Sequence, residues 1–125
     1  MILLDSSAWL GMLTLAPNSE AFRERLEAAD KVVVPTIVLY EVYKVLRREG
    51  AEEEASAAAL LLKEHNLVEL DEMIALDAAE TSLEHGLAMA DAIIYTTAQL
   101  NGATLVTGDA HFDGLPGVDF IPTIS

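Results

Sequence analysis

A chain of 125 residues accommodates one domain and not two, and at 52% apolar composition it can bury roughly two-thirds of its unfolded surface around a single core. The absence of cysteine excludes disulfides and thiolate metal sites, so any metal must be held by oxygen or imidazole. Seven Lys and Arg face 21 Asp and Glu, a net charge of −14 that argues against the general attraction to nucleic acid of a basic surface.

In chain order, Ile2-Leu3-Leu4 reads as a short apolar strand ending at Asp5. The start lacks the basic segment of a secretory signal, and no apolar run approaches the about 20 residues that span a bilayer. The expectation is therefore a cytoplasmic protein with no membrane association. Ser6 to Leu15 is predicted helical and is broken by Pro17. Asn18 or Ser19 is a plausible N-cap for a charged helix running to about Ala29. Lys31 to Pro35 is β-branched and predicts a buried strand. Thr36 to Glu49 follows as a helix stopped by Gly50, and Ala51 to His65 as another. Asn66 to Leu70 reads as a short strand, Glu72 to His85 as a helix stopped by Gly86, and Leu87 to Leu100 as a helix ended by Asn101-Gly102. Ala103 to Thr107 is a strand running into Gly108-Asp109, and a Gly/Pro-punctuated loop leads to a last strand, Val118 to Pro122. Trp9 and Tyr40 are expected in the core, and the run Ala57 to Leu62 in the core or at a subunit contact.

Short apolar strands alternating with helices imply a parallel sheet covered on both faces, a three-layer α/β/α domain spanning residues 1–125. In such sheets sites form beyond the carboxyl ends of the strands, which draws attention to Asp5, to the segment after Pro35 and to Gly108-Asp109. Lys63 is the last Lys or Arg; from Glu64 to Ser125 there are eleven acids and no fixed positive charge. A carboxylate buried in that half must find its cation in the first half, in a partner or in a metal ion.

Each acid has an ordinary reading beside the functional one. Asp5 alone reads as a helix N-cap, Asp109 as a turn residue, and Glu41 as half of an ion pair with Lys44. Asp91 differs: its helical neighbours Leu87, Ala88, Ile94, Tyr95 and Ala98 are apolar or aromatic, which places it on a face expected to be buried. Gathered together, the four would repel one another and raise each other's pKa values unless a cation lay between them. Oxygen donors with few imidazoles fit Mg²⁺ or Mn²⁺ rather than zinc, ions that serve phosphoryl chemistry. Glu41, Lys44 and Arg48 share one helical stripe, so Lys44 and Arg48 would line the cleft beside Glu41 and meet phosphates, unless the stripe is simply a solvated helix tail. His65, His85 and His111 have no helical zinc-site spacing, and His111 is read as a loop histidine.

Four segments carry a resemblance: Ile2 to Ser7, Val34 to Val42, Leu87 to Ile94 and Leu105 to Phe112. In this order and at this length the chain resembles a PIN domain, specifically the VapC-type ribonuclease toxins of toxin–antitoxin pairs. The resemblance implies a parallel sheet of order 3-2-1-4-5. It implies that Asp5, Glu41, Asp91 and Asp109 ligate one or two Mg²⁺ or Mn²⁺ ions, with Asp113 joining or replacing Asp109. Ser6 and Thr107 would then sit with Lys44 and Arg48 on the substrate side, Thr107 orienting the site. It also implies an RNA substrate, a homodimer and a neutralising antitoxin; the acidity suits a basic one, although acidic, lysine-poor surfaces also serve a salty cytoplasm. Receiver domains and aspartate-nucleophile phosphatases need a late lysine that nothing after Lys63 supplies. Phosphate-loop enzymes need a glycine-rich lysine loop that is absent. The alternative is a non-catalytic member of the same fold, an RNA-binding or assembly module.

Overall fold

The computed structural model describes residues 1–123; Ile124 and Ser125, the end of the expected single domain, lie outside them. The strands are β1 (Ile2–Leu4), β2 (Val32–Pro35), β3 (Asn66–Val68), β4 (Thr104–Thr107) and β5 (Val118–Phe120). They form one parallel sheet in the order β3-β2-β1-β4-β5, as expected. The helices are α1 (Ser6–Leu13), α2 (Ser19–Ala28), α3 (Thr36–Arg48), α4 (Glu52–Lys63), α5 (Glu72–His85) and α6 (Met89–Leu100), with a 3₁₀ turn at Ala110–Phe112. Right-handed crossovers put α1 to α4 on one face of the sheet and α5 and α6 on the other. The packing agrees: α1 lies on α2 and α3, α3 on α4, and α5 on α6. None of the described helices is long and apolar enough to cross a membrane.

Burial explains the strand types. β1 and β2 are central, and Leu3, Leu4, Val33 and Val34 are almost wholly buried, as continuous apolar runs in a two-sided parallel sheet should be. β3 is an edge strand, with Asn66 and Leu67 exposed. Its strand ends at Val68 rather than Leu70, because Asp71 turns the chain into α5 by accepting a hydrogen bond from the Ile74 amide (2.8 Å). Trp9 is buried as expected, its ring 5.7 Å from that of His65. In the run Ala57 to Leu62, Ala58 and Leu62 are buried while Leu60 and Leu61 are exposed.

Further expectations are corrected. Tyr40 is 59% exposed: α3 buries Val38, Val42 and Leu46, and a residue two positions from both Val38 and Val42 points about 200° away from that stripe. α1 ends at Leu13, since Leu15 adopts a left-handed conformation (φ 55°) ahead of Pro17. Asn18 holds the N-cap position of α2 without capping it; its amide instead donates to the Ile121 carbonyl (3.2 Å), tying α2 to the chain after β5, which stops at Phe120 rather than Pro122. α6 starts at Met89 rather than Leu87. Gly86 closes α5 with a left-handed turn (φ 69°), Ala88 is extended, and Ser82 Oγ donates to the Leu87 carbonyl (2.7 Å), so two residues are used in the connection. Asp91 consequently stands in the first turn of α6, half-buried rather than inside the helix core.

Candidate active site

The site forms where β1 and β4 end side by side. Asp5 leaves β1 with its amide donating to the Val106 carbonyl (3.3 Å), then caps α1, its Oδ1 accepting from the Ala8 amide (3.0 Å). The N-cap and site readings of Asp5 are therefore compatible: one carboxylate oxygen faces the helix and the other faces β4. Ser7 Oγ donates to Oδ1 (2.7 Å) while accepting from the Gly108 amide (3.1 Å). Thr107 Oγ1 donates to Oδ2 and accepts from the Asp109 amide (2.9 Å). These bonds join the first and last helical crossovers of the fold and fix both aspartates relative to each other. Gly108 permits the approach: a Cβ there would lie 3.2 Å from Phe22 Cζ and 3.4 Å from the Ile121 carbonyl.

Asp5 is only 3% exposed. Burial pushes its carboxyl above the usual aspartate range; the hydrogen bonds from Thr107, Ser7 and Ala8 oppose this, and the Asp109 charge adds to the rise. Glu41, on α3, accepts from Ser6 Oγ (3.1 Å). Its carboxyl is also raised, by burial first, with the charges of Asp91 and Asp5 adding to it. Asp91 is raised by burial and then by Asp109, with His111 acting in the opposite sense. The four acids thus feel one another's charge, the condition that called for a cation in the sequence. Among the described residues no Lys or Arg forms a salt bridge with any of them.

Asp91, Asp109 and His111 each place one ligand atom within 4.8 Å of the others. Asp109 Oδ1 accepts from the His111 amide (2.9 Å) and lies 2.7 Å from His111 Nδ1. Asp113 is exposed at the end of the 3₁₀ turn and stands outside this group. Lys44 and Arg48 are exposed and make no described salt bridge, whereas Arg47 pairs with Glu52 (3.0 Å). Lys44 Nζ sits 5.4 Å over the Tyr40 ring. Two residues at the site had no expected role there: Ser7, whose place two residues after a strand-end aspartate is its signal, and His111, expected as a loop histidine.

The family described as PIN domain matches residues 2–118. No curated protein matches the chain. Among solved structures it is similar to a toxin–antitoxin complex from Klebsiella pneumoniae at 25% identity, TM-score 0.80, covering 95% of this chain and 96% of that one. It is also similar to the sarcin–ricin loop cleaving toxin VapC20 of Mycobacterium tuberculosis (18% identity, TM-score 0.74, 90% and 92% covered). A third likeness is to the DNA-bound VapBC of Salmonella typhimurium (18% identity, TM-score 0.76, 99% and 100% covered). At 18% identity the last two show the fold alone.

Proposed function

Since the chain belongs to the PIN domain family, we propose that it is a divalent-metal-dependent endoribonuclease acting as the toxin of a toxin–antitoxin pair. The observation that carries this reading is the convergence of Asp5, Glu41, Asp91 and Asp109 at the carboxyl ends of β1 and β4, three of them with raised carboxyl pKa values. The donor set fits Mg²⁺ or Mn²⁺: it is oxygen-rich, partly buried and compact enough at Asp91 and Asp109 to share an ion. When bound, one or two such ions would activate water and offset the charge on the attacking and leaving oxygens of an in-line displacement.

The protein's own part is positioning. Thr107 and Ser7 hold Asp5, Ser6 holds Glu41, and the capped 3₁₀ turn holds Asp109. We assign Ser6, which was expected to touch substrate, to Glu41 because its hydroxyl already donates there. No side chain need act as nucleophile, and the products would be a 5′-phosphate and a 3′-hydroxyl. A homodimer and a neutralising antitoxin belong to the same proposal; toxin–antitoxin complexes stand among the similar structures. The net charge of −14 favours an antitoxin with a basic segment.

The test is cleavage of a panel of structured and single-stranded RNAs with Mg²⁺ or Mn²⁺ against EDTA. Cleavage only with metal is expected, together with a rise in Tm on adding Mn²⁺. A folded protein that cleaves nothing and whose Tm ignores Mn²⁺ would replace this reading by the non-catalytic RNA-binding module. Substrate grip is tested separately. Lys44 and Arg48, exposed on the helix that carries Glu41 and without a salt bridge among the described residues, are assigned to RNA phosphates. If each meets one phosphate of a single strand, replacing both by Ala should shallow the slope of log affinity against log salt by about 1.4. Binding measured in EDTA with an unchanged slope would remove them from the interface.

A further inference from the structure

We propose that His111 is a nitrogen ligand of the metal held by Asp91 and Asp109, making this a mixed nitrogen–oxygen site that prefers Mn²⁺ to Mg²⁺. The inference rests on the metal-dependent reading above and extends it to a residue outside the acidic set.

The local structure aims the imidazole. Asp109 caps the 3₁₀ turn by accepting from the His111 amide, which places the two side chains on one side of the turn. Phe112, wholly buried, anchors the turn from below. The His111 ring is 78% exposed yet approaches the carboxylate, with Nδ1 2.7 Å from Asp109 Oδ1. A lone pair of turn residues would stop there. Here a third donor, Asp91, arrives from the first turn of α6, far away in sequence, and all three ligand atoms fall within 4.8 Å of one another. Metal–ligand bonds of roughly 2.0–2.2 Å put two donors of one ion at most about 4.4 Å apart, so the group needs to close by a few tenths of an ångström at most. The other two histidines are occupied elsewhere, His65 against Trp9 and His85 against Tyr95.

Chemistry supplies the preference. Mg²⁺ favours an all-oxygen shell that keeps several waters, whereas imidazole suits first-row transition ions. A carboxylate pair alone would discriminate weakly between Mg²⁺ and Mn²⁺; adding one imidazole shifts the balance toward Mn²⁺. Exposure of the ring leaves the ligand open to exchange with solvent and costs little desolvation.

The experiment is pulsed electron paramagnetic resonance on the protein loaded with Mn²⁺, comparing wild type with His111→Ala. Modulation from an imidazole ¹⁴N nucleus is expected in the wild type and not in the variant. Mn²⁺ affinity should fall about tenfold or more in the variant, the scale of losing a partner at a metal site, and Mg²⁺ affinity should change less. Because the side chain is exposed, the variant should fold, which its melting curve checks. Bound Mn²⁺ without nitrogen modulation would overturn this inference and leave the nuclease reading standing. Nitrogen modulation that persists in His111→Ala would also overturn it, because the nitrogen would then come from another histidine. A wild-type protein that binds no Mn²⁺ would overturn both.

Discussion

Asp5→Asn should lower RNA cleavage by roughly 10²–10³, the scale of removing one electrostatic stabiliser at a reacting centre, while leaving the metal-free protein at least as stable as wild type at neutral pH. Asparagine keeps the shape, and its oxygen can still accept from the Ala8 amide and Ser7 Oγ. What it loses is the buried charge and the Oδ2 acceptor of the Thr107 hydroxyl, which can instead accept from the asparagine amide. The Asp5 carboxyl is raised above its ordinary value of 3.8, chiefly by burial, and Glu41 is raised above 4.5 for the same reason. A carboxyl with a higher pKa in the folded state holds its proton more tightly there than in the unfolded chain. Its stabilisation is therefore complete below the unfolded value and is lost as pH rises from that value through the folded one. Metal-free wild type should accordingly lose stability from about pH 4 upward, and Asp5→Asn should lack the share due to Asp5. Thermal melts in EDTA between pH 4 and 8, beside RNA cleavage with Mn²⁺, check both halves. Cleavage at the wild-type rate, or a variant far less stable at every pH, would contradict the account.

Thr107→Val should cost about 1–3 kcal/mol of stability and reduce cleavage about 10–100-fold, the usual scale for a group that orients a metal ligand. Valine fills the same volume, so packing changes little. The hydroxyl it removes is wholly buried, donates to Asp5 Oδ2 and accepts from the Asp109 amide. Its loss strands a carboxylate oxygen and loosens the two aspartates from each other. Thr107→Ser keeps the hydroxyl and should recover most of the cleavage. Urea midpoints and cleavage rates on the three proteins decide it: a valine variant as active as wild type would reduce Thr107 to ordinary core.

Tyr40 and Asp91 show where the sequence was legible and where it was not. The stripe Val38, Val42 and Leu46 was readable at helical spacing, and it places Tyr40 on the opposite face. An aromatic residue type argues for the core, but the helical position decides and turns Tyr40 outward. Asp91 was singled out by its apolar neighbours, and it does face the other acids. Its depth was overestimated, because Gly86 and the extended Leu87–Ala88 delay the start of α6. A histidine near an aspartate in a loop is common, and nothing local to His111 announces that Asp91 arrives beside the pair.

What the sequence by itself determined is local. Apolar runs made the central strands, Asp5 and Asp71 capped the helices that follow them, Gly86 stopped α5, and the lack of Lys or Arg after Lys63 left the acids of the second half without a local cation. The alternation of strand and helix dictated a parallel sheet. Only the tertiary structure decided which groups meet. Thr107 and Asp5 are 102 residues apart, and Ser6 and Glu41 are 35 apart. Their contacts exist because β4 lies beside β1 and α3 packs on α1. The raised carboxyl pKa values follow from that assembly as well, since burial and the approach of like charges are properties of the folded packing and of no segment alone.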